Sequence, residues 1–213
     1  MMRKRLGLLL SCFDYSPVAE DEFHDWYDTE HIPERERVQG FLQCRRWLAM
    51  DRPQASIATY DLAGADVLRS PGYLAIGYDN NSPWTRRVGW RCVTLLRAEA
   101  EQIVPGDALP PQDAGALLVW AFNLEGVTDD ALTDWYGGAY LPIVREAAGV
   151  EAARLFRSNV SSHRFVALTH LSRADVVGTA DWERHVERPW QARFGSTERD
   201  RFRMLAKRYV RET

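Results

Sequence analysis

Cysteine is scarce: the 213 residues hold three, Cys12, Cys44 and Cys92. An odd count at wide spacing gives neither a disulfide framework nor a paired set of metal ligands. Each lies in an apolar, strand-like run, as small buried hydrophobes of a reducing compartment do, so the expected location is cytoplasmic. No stretch approaches the ~18 consecutive apolar residues of a membrane span, so no membrane partner is expected. Basic charge is not in excess. The net charge is −3, against the clustered basic surface that nucleic acid demands, and no nucleic-acid partner is expected. The locally basic tail Arg199–Arg211 alternates with apolar residues, as a strand with one wet face does. Glycine-rich phosphate loops, a Walker motif and a nucleophile elbow are missing too. The basic start Met1–Arg5 and the run Leu6-Gly-Leu-Leu-Leu look like the opening of an export signal. The run is short, lacks a small-residue cleavage site and recurs later in the chain, so it is assigned to the fold.

What is present is a repeat. At an offset of 109, Leu8-Leu9 falls on Leu117-Leu118, Phe13 on Phe122, and Asp25-Trp26-Tyr27 on Asp134-Trp135-Tyr136. Pro33 meets Pro142, Gly40 meets Gly149, Arg45 meets Arg154, and Ala65-Asp66-Val67 meets Ala174-Asp175-Val176. A three-residue gap then aligns Pro83-Trp84 with Pro189-Trp190. Such long-period self-similarity marks duplicated structural units. The boundaries are 1–104 and 112–213, joined by the proline-rich linker Pro105–Pro111.

Each unit has the same pattern. Apolar Arg5–Phe13 predicts a strand, and Ala19–His31 a helix whose stripe carries Phe23, Trp26, Tyr27, Glu30 and His31. Ser16 with Pro17 suits the helix start, and Pro33 should disrupt or end it. Strands are predicted at Phe41–Met50, Ala55–Leu62 and Gly89–Ala98, with a broken helical segment from Gly64 to Gly77 and a loop at Asn80–Pro83. The second unit repeats this with strands at Gly115–Phe122, Val150–Ser158, His163–Leu171 and Phe202–Arg211, and helices at Thr128–Ala148 and Ala174–Ala192. The order β-α-β-β-α-β is that of the ferredoxin-like split unit, an α+β fold with helices on one face of an antiparallel sheet. Two units in one chain can pack sheet to sheet as an intrachain barrel, leaving no open sheet edge.

The segment Glu22–Arg35, with Glu30-His-Ile-Pro at its centre and Val38-Gln-Gly-Phe after it, resembles the signature helix of EthD-like proteins. These belong to the dimeric α/β-barrel superfamily. That resemblance covers nearly the whole chain as a fold and implies small-molecule chemistry. Relatives include cofactor-free monooxygenases, cyclases, muconolactone-type isomerases and haem enzymes. The second unit has Gly138-Ala-Tyr-Leu-Pro where the first has Thr29-Glu-His-Ile-Pro, so motif chemistry is confined to the first unit.

His31 is the leading catalytic candidate, because imidazole suits proton abstraction and return near neutrality. Placed at a helix C-terminus, its pKa should be raised somewhat. Tyr27, one turn earlier, could steady an oxyanion, and Asp28 could orient the imidazole. Tyr27 recurs as Tyr136, which favours a structural aromatic, and Trp26 is assigned to the core. Phe23, Trp47, Tyr60, Trp84 and Trp90 are candidates for an aromatic substrate pocket. Asp-X-X-His spacing lacks a third and fourth ligand, so no metal site is assigned. A haem would need an axial histidine, and nothing local distinguishes His163, His170 or His185. No cofactor is expected. The expected partner is a small apolar or aromatic molecule, and the chain is either a pseudo-dimeric monomer or a homodimer. The expected activity is His31 acid–base chemistry of lyase, isomerase or cyclase type. The alternatives are a cofactor-free monooxygenase and a non-catalytic EthD-like binding or accessory protein.

Overall fold

The computed structural model describes residues 5–211; Met1–Lys4 of the basic start lie outside them, as do Glu212 and Thr213. Eight strands form one closed antiparallel barrel. They are β1 (Gly7–Asp14), β2 (Phe41–Ala49), β3 (Ala55–Leu62), β4 (Val93–Val104), β5 (Ala116–Leu124), β6 (Val150–Val160), β7 (Phe165–Leu171) and β8 (Glu198–Arg208). The first half runs β2-β3-β1-β4 in space and the second β6-β7-β5-β8. Two seams close the ring, β2 with β8 and β4 with β6, so every strand has two neighbours.

Alternation along the strands sorts side chains into three cores. Leu8, Leu10 and Cys12 of β1 meet Leu117, Val119 and Ala121 of β5 inside the barrel, with Trp47, Phe156 and Met204. Leu9 and Phe13 face outward to the first half's helices, and Leu118, Trp120 and Phe122 do the same in the second half. Among the described residues no helix is long and apolar enough to cross a membrane.

The first helical passage departs from expectation. It is α1 (Glu20–Trp26), a π turn (Tyr27–His31) and α2 (Ile32–Glu36) in unbroken succession. Pro33 does not end it. Proline lacks an N–H and crowds the carbonyl four residues back, and the chain accommodates both by widening the preceding turn. The Ile32 amide donates to the Tyr27 carbonyl, five residues back. The same device precedes Pro142 (Tyr136–Tyr140) and Pro189 (Glu183–Glu187). Nor does Ser16 start the helix: its amide is held by the Asp14 carboxylate at 2.8 Å in a preceding turn. The helix begins at Glu20 with three acidic residues in its first turn, which suit the positive end of the helix dipole. Pro83, read as the end of a loop, opens α4 (Pro83–Val88), capped by Ser82, and β4 starts later than expected, at Val93. The second half's first helical passage is α5 (Asp129–Trp135), the π turn and α6 (Leu141–Val144), followed later by α7 (Ala180–Trp182) and α8 (Arg188–Phe194). A helical turn also forms at α3 (Pro71–Leu74).

Gly40 and Gly149 both have positive φ (100° and 83°). A Cβ there would lie 2.6 Å from Val67 and 2.4 Å from Val176, themselves a repeat pair.

Candidate functional site

A cavity of about 570 Å³ lies in the first half, between the outward face of the sheet and the helices. Leu9, Ser11 and Phe13 of β1, Tyr60 of β3 and Arg97 of β4 form its floor; Trp26, His31 and Arg35 form its roof. Trp90, 62% exposed, and Tyr78, 39% exposed, stand at its rim.

The π turn aims His31 at this space. In a regular helix residues five apart diverge, but the wide turn stacks them, and the His31 ring lies 4.4 Å from that of Trp26. Tyr27 is 5.2 Å away and Tyr60 6.4 Å, centroid to centroid. The Nδ1 atom of His31 is buried with no hydrogen-bond partner, as is the Tyr60 hydroxyl. Burial, then the charges of Arg35 and Arg46, push the His31 pKa well below 6.5. The expected upward shift fails for a plain reason: the helix continues to Glu36, so His31 does not sit among terminal carbonyls. The imidazole is therefore neutral at physiological pH. Burial raises both Tyr27 and Tyr60, which stay protonated.

Two cations reach the cavity. Arg35 is 4% exposed and pairs with Glu34 at 2.8 Å. Arg97 pairs with Glu99 at 2.8 Å, and Glu99 also accepts from Arg69 and from the Tyr78 hydroxyl.

Of the residues singled out from sequence, His31, Tyr60 and Trp90 line the cavity together. Tyr27 packs beside His31 beneath the Arg46 guanidinium, 4.3 Å above its ring, and is 1% exposed. Phe23 does not line the cavity; it is buried against Tyr15, 4.1 Å between centroids. Trp47 points the other way, into the barrel, where its indole donates to Thr59. Trp84 packs half-buried on the first half's outer core. Asp28 does not orient His31. It accepts from Arg46 at 2.7 Å and from the Tyr209 hydroxyl at 2.9 Å, beside a separate pocket of about 250 Å³. Trp26, Ser11, Arg35 and Arg97 were missed. Trp26 was assigned to the core because it recurs as Trp135. The other three carry no sequence signal beyond their place in an alternating or helical run.

The second half is built differently at this place. Trp120 stands at the position of Ser11, 4% exposed, its ring 4.7 Å from that of Trp190. Tyr140 replaces His31 and donates to the Val186 carbonyl. A larger open groove of about 810 Å³ runs between α7, α8 and β8. Trp182, Glu187, Arg188 and Arg203 line it, but no histidine does, so it does not fit a haem that needs an axial imidazole. Among the described residues no three metal-ligating side chains converge.

No family model matches the sequence, and no curated protein matches it. Solved structures do match in shape. An anthrone oxidase-like protein has a TM-score of 0.65 at 9% identity, with 98% of this chain and 93% of that one covered. A putative monooxygenase from Lactobacillus acidophilus has a TM-score of 0.59 at 9% identity, covering 96% and 94%. Chlorite dismutase from Candidatus Nitrospira defluvii, in complex with imidazole, has a TM-score of 0.61 at 11% identity, covering 96% and 91%. The chain thus has the fold of the dimeric α/β-barrel superfamily. At these identities the likeness concerns the fold alone.

Proposed function

We propose that the chain is a cofactor-independent enzyme. It would abstract a proton from a planar, largely apolar aromatic or polyketide-like molecule seated beside His31. One observation carries this: His31, a neutral imidazole whose buried Nδ1 has no hydrogen-bond partner, lines an aromatic cavity large enough for a small molecule. Arg35 and Arg97 favour the anion that deprotonation creates, and Tyr60, kept protonated by burial, lines the same space. Trp26, Tyr60, Tyr73 and Trp90 supply flat apolar contact. Tyr27 holds the roof through its packing on His31, and Asp28 fixes Arg46, whose charge helps keep the imidazole neutral. The architecture behind it is two tandem ferredoxin-like units, 1–104 and 112–213, the first carrying the EthD-like helix.

Return of the proton to another carbon, or loss of a leaving group, makes the reaction an isomerase, cyclase or lyase step. A second outcome is favoured by the shape likeness to proteins described as an anthrone oxidase-like protein and a monooxygenase: a substrate anion that reacts with oxygen directly. Both share the His31 step. Turnover of anthrone-type and polyketide-type phenols by the wild type and by His31→Ala, with oxygen uptake recorded, tests the proposal. Loss of turnover in a folded variant supports it, and oxygen consumption separates the two outcomes. A variant that turns over substrate at the wild-type rate removes His31 from the chemistry. Tight binding with no product from any of these phenols leaves the EthD-like binding protein as the function.

A further inference from the structure

The 109-residue offset pairs Arg45 with Arg154 and also Asp61 with His170. All four sit at one end of the barrel interior, under the linker. Arg154, Asp61 and His170 are each 1% exposed and Arg45 is 8% exposed. Across the barrel, Arg154 donates to the Asp61 carboxylate. The symmetric partner of that bond would join Arg45 to position 170, where the chain has an imidazole instead of a carboxylate. Arg45 turns away to the Pro111 carbonyl and to Gln112 Oε1.

Exchanging that carboxylate for a histidine leaves a cationic deficit. Two guanidiniums, Arg45 and Arg154, share one carboxylate inside the barrel, and Arg208 and Asp113 add opposite charges nearer the surface. It also leaves donors idle. Arg154 spends Nη1 on Asp61 and on the Ala108 carbonyl, while its Nε and Nη2 are buried with no partner. Both ring nitrogens of His170 are likewise buried and unpartnered. Arg154 lies opposite Leu168, so His170 is its diagonal neighbour on the same face. Buried N–H groups almost always find an acceptor. An acceptor here should also carry negative charge.

We propose that the barrel interior binds a small monovalent anion, a halide or short carboxylate, against Arg154 and His170 and within the field of Arg45, where it takes the place of the carboxylate that position 170 does not supply. The site is independent of the His31 cavity, on the opposite face of the sheet. Burial and both arginines keep His170 neutral, so one ring N–H joins the Arg154 donors.

Thermal unfolding of the full chain at constant ionic strength in chloride, bromide or formate, against bulky gluconate, tests this. The expected result is a concentration-dependent rise of a few degrees in the small anions. Replacing His170→Asp restores the symmetric carboxylate; that variant should lose the anion dependence. Crystals of the wild type grown in bromide should show an anomalous peak within hydrogen-bond reach of Arg154 Nη2, which keeps the test valid where His170→Asp does not fold. An unfolding temperature indifferent to the anion, dependence that persists in His170→Asp, or water without anomalous signal at Arg154 would each overturn the proposal.

Discussion

Ser11 and Trp120 occupy the same place in the two halves, each opposite an arginine on the neighbouring strand, Arg97 for Ser11 and Arg203 for Trp120. The small side chain lines the cavity beside His31, and the large one packs into the second half's core, which also holds Tyr140. Ser11→Trp should therefore abolish ligand binding and turnover while the protein stays folded. Retained binding, measured by titration of an aromatic ligand into a variant with native circular dichroism, would move the site elsewhere.

His31→Gln keeps the size of the side chain and removes its basicity. A general base is worth about 10²–10⁴-fold in rate, and a loss of that order in kcat is expected with the unfolding temperature little changed.

The pH profile should report the environment of His31. Its depressed pKa keeps the base form available through neutrality, so kcat/KM should hold level across neutral pH and fall only well below pH 6.5. Arg35→Met removes one of the two charges that depress it, and the acid limb should move upward toward pH 6.5. A limb that stays in place would mean that another group sets it.

Stability should fall on mild acidification. His31 and His170 both have folded-state values below the unfolded value of about 6.5. Below that pH the unfolded chain binds the more protons, so their contribution is complete above pH 6.5 and declines as pH drops. The loss is on the order of 1 kcal/mol per histidine per pH unit. Urea unfolding at pH 7.5 and 5.5 measures it, and His170→Asn should flatten the difference.

The Arg154–Asp61 pair is fully buried, and breaking such a pair strands a charge. Asp61→Asn should cost about 3–5 kcal/mol, whereas Arg154→Met combined with Asp61→Leu should cost far less. Equal losses in the single and double variants would show that the pair's geometry, not its charge, matters.

The α+β class and the antiparallel barrel were legible in the alternation of strand and helix patterns. β3 was bounded at Ala55 and Leu62 by simple patterning. Misreadings cluster where geometry leaves the standard period. Pro33 reads as a helix stop, and only the π turn lets the chain pass it. The same turn brings Trp26 against His31, while Asp28, three residues before the imidazole, is held by Arg46 instead. Trp47 was placed in the wrong pocket because both faces of β2 and its neighbours are covered, so alternation does not tell barrel interior from helix side. Asn80–Pro83 read as loop, although Ser82-Pro83 is also a helix start.

The two halves are one covalent chain, and this changes what the barrel is permitted to become. An assembly of two identical subunits must present every hollow twice or not at all, because one gene dictates both copies. Here Ser11 and Trp120, His31 and Tyr140, and Asp61 and His170 were free to part company. One lobe could set a histidine beside its chamber while its sister put packed aromatic rings in the matching positions.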